Sequence, residues 1–170
     1  MGANKLPEPW LRGTLAEVPA VPRAVLHALE LAKGDLERWC GALSDAELNA
    51  RPGGIAPVAF HVRHIARSID RLLTYAEGNQ LSDAQIAEMK GESDSDAKRE
   101  ELFEELDTAL RKGAARIRAF DVTLLNEARA VGKKELPTTL GGLLVHVADH
   151  TQRHVGQAVT TAKIVLGQAN

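Results

Sequence analysis

Four stretches of the chain place apolar residues at the spacing that lines one face of an α-helix. The first runs from Pro22 to Cys40 and carries Val25, Leu26, Leu29, Leu31, Ala32, Leu36 and Trp39. Pro22 suits a first helical turn, where its missing N–H costs nothing. The second, Ala56 to Ala76, repeats Val58, Ile65, Ile69 and Leu72 and stops just before Gly78, a residue type that commonly follows a helix. The third spans Ala97 to Phe120 with Leu102, Phe103, Leu106, Leu110, Ala114, Ile117 and Phe120 on one face; Gly113 inside it marks a bend or a close approach to a neighbour. Thr138 or Thr139 caps the fourth, which extends to about Val165.

The connections are shorter and more polar. Ser44 opens a short helix with Glu47 three residues on, the spacing of a capping box, and Leu81 to Met89 repeats that pattern. Gly91 to Asp96 reads as an exposed polar loop, and Asp121 to Glu135 as a connection with some helical turn. No segment reads as a strand: Val145 and Val147 flank a histidine, and Val159-Thr160-Thr161 sits inside the fourth helical pattern. Pro7, Pro9, Pro19 and Pro22 make residues 1–21 an extended lead-in to a single domain over 22–170. The expected fold is all-α: a four-helix bundle with short extra helices in the connections.

Composition changes little in this picture. At 170 residues, 44% hydrophobic and 26% charged, the chain is long enough for one substantial core. Its net charge of −2 supplies no electrostatic reason to bind nucleic acid or an anionic membrane. Apolar runs are interrupted well short of the ~20 residues that span a bilayer. Met1 to Trp10 lacks the basic start and apolar run of a signal peptide, and Cys40 is the one cysteine. A cytoplasmic location is the expectation.

The six histidines do change it. Five fall in two clusters, His61 and His64 in the second helix and His146, His150 and His154 in the fourth, while His27 stands apart. A helix stacks residues i and i+4 on one face, so His150 and His154 offer two imidazoles to one metal ion. At about 100° per residue, His154 lies at the edge of the apolar face centred on Leu144, Val147 and Ala158. His150 lies slightly further round, and His146 further still towards solvent. In the second helix His61 sits nearer the apolar centre than His64, so spacing does not select between them. Three neutral imidazoles with one open position suit Zn²⁺, Ni²⁺ or another borderline divalent metal. A pH-sensitive packing seam is the competing explanation of such clustering.

The stretches Ala56-Pro-Val-Ala-Phe-His-Val-Arg-His-Ile and Leu144-Val-His-Val-Ala-Asp-His-Thr-Gln-Arg-His-Val-Gly-Gln also resemble the DinB/YfiT superfamily of bacterial four-helix bundles. There a helix-two histidine followed by an aliphatic residue joins a His-x-x-x-His pair in the last helix, ahead of a Gly-Gln. Carried over by position, the resemblance implies His64, followed by Ile65, together with His150 and His154 as metal ligands, leaving His61 and His146 as their neighbours. It further implies a homodimer and an enzyme acting on a small molecule. The implied activity is transfer of a low-molecular-weight thiol to an electrophile, or else hydrolysis; the alternative is a non-catalytic metal-binding or interaction bundle.

No general base stands out. Arg63, Arg67, Asp70, Arg71, Tyr75, Asp149 and Gln157 lie on the two histidine helices and read mostly as solvated surface, Asp70-Arg71 in particular. Cys40 reads as packing. Glu-x-x-His pairs of a di-iron bundle and the His-Glu-x-x-His pattern of zinc proteases are both missing.

Overall fold

A computed structural model describes residues 6–93 and 96–168. Its helices are α1 (Ala20–Cys40), α2 (Asp45–Asn49), α3 (Val58–Ala76), α4 (Asp83–Lys90), α5 (Arg99–Ala119) and α6 (Leu140–Gln168). The four long ones match the four periodic stretches to within a few residues, and α2 and α4 are the short extra helices. Both short helices carry complete capping boxes, Ser44 with Glu47 and Ser82 with Gln85, each satisfying two backbone N–H groups at an otherwise open end. Thr139 Oγ1 accepts from Gly142 N at 3.0 Å and so caps α6.

Two readings of the connections are corrected. Asp121 to Glu135 is not simply loop and turn, because a hairpin of β1 (Ala128–Val131) and β2 (Leu136–Thr139) precedes α6, pairing Ala128 with Thr139 and Val131 with Leu136. Four-residue strands are too short to declare a period of two against a helical background. The hairpin turn relies on Gly132 at φ 72° and Glu135 at φ 49°. The Gly91–Asp96 loop is also misread. Gly91–Ser93 forms a turn of 3₁₀ helix whose Glu92 is only 4% exposed; Asp94 and Ser95 lie outside the described residues, as do residues 1–5 of the N-terminal lead-in.

Before α1 the chain folds back along it. Arg12 pairs with Glu30 at 2.6 Å, and Thr14 Oγ1 lies 3.2 Å from His27 Nε2. His27 is thereby buried and engaged away from the other histidines.

Cross-links between helices fix their directions. Along α3 and α5, Arg67 meets Glu105 and Arg116 meets Asp70 and Glu77, so these two run parallel. Along α3 and α6, His61 meets His154 and His64 meets His150, so those run antiparallel. Gln152 reaches the Ala28 carbonyl, and Lys163 lies over Trp39, which makes α1 and α6 parallel. Lys33–Asp107 and Arg99–Gly41 make α1 and α5 antiparallel. The packed neighbours are α3 with α6, α1 with α6, α3 with α5 and α1 with α5. Helices consecutive in sequence, α1 then α3 and α5 then α6, therefore sit diagonally across the bundle. Parallel α3 and α5 require the chain to climb back along the outside, and α4 with the Glu92 turn forms that return.

The core between these helices is built of Leu36, Ile65, Ile69, Leu73, Leu106, Ile117 and Leu144, all nearly inaccessible. Gly113 resolves as a close approach: a Cβ there would lie 2.7 Å from Ile69 Cγ2 on α3. No helix of the described residues is long and apolar enough to cross a membrane.

Candidate metal centre

The N-terminal half of α3 and the middle of α6 run past each other in opposite directions, and this brings the two histidine clusters together. One ring nitrogen from each of His64, His150 and His154 lies within 4.8 Å of the others. His64 Nε2 and His150 Nε2 are 2.9 Å apart, and the His64 and His154 ring centroids 4.3 Å. In a tetrahedral site with Zn–N bonds near ~2.05 Å, ligand nitrogens stand about 3.3 Å apart. The three donors converge at that scale, and their chemistry, three imidazoles with no thiolate among them, fits a borderline divalent ion.

The nitrogens facing away from that centre are held unequally. His64 Nδ1 lies 2.7 Å from Glu92 Oε2. The other oxygen of Glu92 accepts from Arg71 Nη1 at 2.5 Å. Glu92 and Arg71 are 4% and 8% exposed, so each buried charge is compensated by the other. Burial pushes the Glu92 carboxyl up, but the hydrogen bonds and charges of His64 and Arg71 outweigh it and hold Glu92 below the usual carboxylate range. An anionic Glu92 accepts from His64 Nδ1–H, which leaves the Nε2 lone pair directed at the shared centre. His154 Nδ1 lies 3.0 Å from His61 Nδ1. His150 Nδ1 is buried without a partner among the described residues. Phe60 stacks on His64, with centroids 5.4 Å apart and an interplanar angle of 17°.

Three of the neighbouring rings, His61, His150 and His154, are kept uncharged. Burial, reinforced by like-charge repulsion from the His64 ring, holds His61 down to about 4. Burial followed by the charges of His64, His146 and Arg153 holds His150 to about 4, against an opposing pull from Asp149. Burial and then His64, His150, His61 and Arg153 hold His154 to about 3. Metal binding needs neutral imidazole, and burial supplies it well below neutral pH for His150 and His154.

The remaining residues from the sequence separate clearly. His146 stays at the surface, paired with Asp149 at 2.8 Å, and is not part of the donor group. His61 is close by but its Nδ1 faces His154 rather than the common centre. Arg67 pairs with Glu105, and Tyr75 belongs to the core. Cys40 is buried and its thiol pushed up to about 12, which suits packing. Arg71, read from sequence as solvated, is buried under Glu92. Glu92 itself was not singled out by the sequence. One signal was available: Arg71 follows His64 by seven residues, two helical turns, so a buried charge on the histidine face asks for a buried acid.

Beside the triad a cavity of about 560 Å³ opens between the entry to α3 and α6, with His61, Arg153, Gly156 and Gln157 on its walls.

Comparison with known proteins follows the same lines. A family model described as the DinB superfamily matches residues 28–158. No curated protein matches. Among solved structures, YfiT from Bacillus subtilis is similar with a TM-score of 0.62 and 18% identity, over 86% of this chain and 87% of that one. YfiT is described as a probable metal-dependent hydrolase with an unusual four-helix bundle topology; at this identity the likeness shows the fold. The family match spans both histidine helices and the Glu92 turn between them, and the chain belongs to the DinB superfamily.

Proposed function

We propose that the protein is a metal-dependent enzyme acting on a small molecule, with His64, His150 and His154 as the ligands of one Zn²⁺- or Ni²⁺-class ion. The observation that carries this reading is the convergence of three imidazole nitrogens within 4.8 Å on a bundle wall that also bears a cavity. A group of three protein donors leaves a coordination position for a substrate, as catalytic sites do. Bound there, a divalent ion supplies Lewis acidity that ionises a coordinated thiol or water near neutral pH. The chain's own residues do the rest. Glu92 accepts a hydrogen bond from His64 Nδ1–H, His61 and His154 share one through their Nδ1 atoms, and Phe60 shields the His64 ring from one side.

Thiol transfer is the favoured reaction class, and hydrolysis the second. Glu92, the buried carboxylate beside the triad, has both oxygens engaged, so it orients His64 rather than abstracting a proton. A thiol, with a free pKa of about 8.5, would need far less help from such an ion to ionise than water at about 15.7, so the lack of a free base weighs more against hydrolysis. The thiol itself is inferred from the superfamily resemblance, as is assembly into a homodimer.

Metal analysis of the purified protein tests the site. Wild type carries one ion per chain, His150→Ala and His64→Ala lose it, and His146→Ala keeps it; equal content in wild type and His150→Ala sinks the triad. Glutathione, cysteine, bacillithiol and mycothiol are then offered with an electrophilic acceptor. Turnover that stops with a chelator and returns with metal is the expected result, and turnover of esters or amides without thiol would move the reading to hydrolysis.

A further inference from the structure

The cavity beside the triad is not explained by metal binding. At about 560 Å³ it has the volume of a small-molecule pocket. Arg153, Gly156, Gln157, Thr160 and Thr161 line it from α6 at the three- and four-residue steps of one helical face. Ile55 and Ala56, at the entry to α3, form its apolar side, and His61 forms the side towards the triad.

The charge on this wall has one sign. Arg153 is cationic and no carboxylate lines the cavity. The nearest acid to Arg153 is Asp149, at 3.8 Å and outside the lining, with both side chains more than half exposed. At that distance the guanidinium retains most of its hydrogen-bonding capacity. Gln157 adds an uncharged donor. The His61 ring closes the cavity on the side of the triad, its Nδ1 3.0 Å from His154 Nδ1. The cavity between α3 and α5 differs, because Asp70, Glu88, Glu101, Glu104 and Glu105 line it and its arginines are paired, Arg67 with Glu105 at 2.6 Å and Arg116 with Asp70 at 2.7 Å. A planar anion matches the α6 cavity, since a guanidinium presents two parallel N–H groups to a carboxylate. Arg153 directly precedes His154 in α6, and His61 meets the His154 ring at 3.0 Å, which places the cavity and the triad side by side.

We propose that this cavity is a subsite for a small carboxylate-bearing molecule with a short apolar body, held by Arg153 and lying against the His61 ring. The proposal deepens the reading of the triad as a metal centre and rests on it, making the carboxylate the handle by which the substrate is positioned one imidazole away from the donor nitrogens.

Hexanoate and its neutral analogue hexanamide test the subsite. Each is titrated into the full-length protein, with and without stoichiometric Zn²⁺, while the imidazole signals of His61 are followed by NMR. Hexanoate shifts those signals saturably and binds about tenfold more tightly than hexanamide, the worth of one charge-assisted hydrogen bond. Arg153→Ala removes the preference and Arg153→Lys restores part of it. Gly156→Leu, at a position where an added Cβ meets nothing within 4 Å, fills the space and abolishes binding of both ligands without changing metal content. Equal affinity for the two ligands, a preference that survives Arg153→Ala, or no binding of hexanoate overturns the subsite. Failure of hexanoate with normal Zn²⁺ content removes the subsite alone. Metal content unchanged in His150→Ala removes the metal reading, whatever hexanoate does.

Discussion

Replacing Glu92 by alanine strips His64 of its Nδ1 partner and leaves Arg71 buried without a counter-charge. Breaking a buried pair from one side costs about 3–5 kcal/mol, so Glu92→Ala lowers the urea midpoint of the metal-free protein markedly. Glu92→Gln keeps the shape and an acceptor oxygen, loses less stability, and weakens metal affinity by about 10–100-fold, as loss of a partner behind a ligating histidine does. Chelator competition measures the second effect; unchanged affinity in Glu92→Gln would deny the carboxylate its orienting role. Protons report on the same residues. In the unfolded chain imidazoles titrate near ~6.5, whereas folding without metal holds His61 and His150 to about 4 and His154 to about 3. Between these values the unfolded chain binds more protons, so stability rises with pH across the window and falls as pH drops from about 6.5 towards 4. Glu92, with its depressed value, adds to the loss at lower pH. Urea unfolding in the presence of chelator shows a lower midpoint at pH 5 than at pH 7; equal midpoints would contradict the burial of these imidazoles.

Among the elements, the contact of α5 with α3 at Gly113 is the least forgiving. Gly113→Val forces two methyl groups against Ile69 and Leu73, where even a Cβ is 2.7 Å from Ile69 Cγ2. Overpacking of this kind costs about 1–3 kcal/mol, read as a fall in thermal midpoint, with no change expected in metal content because the histidines lie on the opposite contact of α3. The long helices were legible because each carries several turns of one apolar stripe, and α2 and α4 because their capping boxes are local. The hairpin was not. Its residues Ala128–Val131 and Leu136–Thr139 hold their shape through contacts that no local pattern contains, such as Arg129 Nε to the Ala76 carbonyl at 2.7 Å and Leu140 N to the Glu127 carbonyl at 3.0 Å. Likewise Glu92 looks solvated in sequence because its burial is imposed by α3 beneath it.

At the scale of the whole molecule, helix directions decide what meets at the centre. The pair His150 and His154 was legible from one helix alone. His64 was legible by resemblance and not by spacing, because periodicity ranks a residue by depth and says nothing of which ring nitrogen faces a partner. Both helix-two histidines do approach α6, His64 through Nε2 and His61 through Nδ1. Glu92 lies 28 residues after His64, and it meets that ring because α3 and α5 are parallel and the return between them passes over α3.

The antiparallel crossing of α3 and α6 joins residues 86 apart in sequence at His64 and His150. An ion shared by those two rings is therefore a removable cross-link, closing a long loop that the unfolded chain leaves open. Bound only by the native state, it adds about 2.7 kcal/mol when free metal stands at ~100 times its dissociation constant. The melting temperature of this bundle should therefore climb with the logarithm of free metal, and the slope of that climb gives the number of ions holding the chain closed.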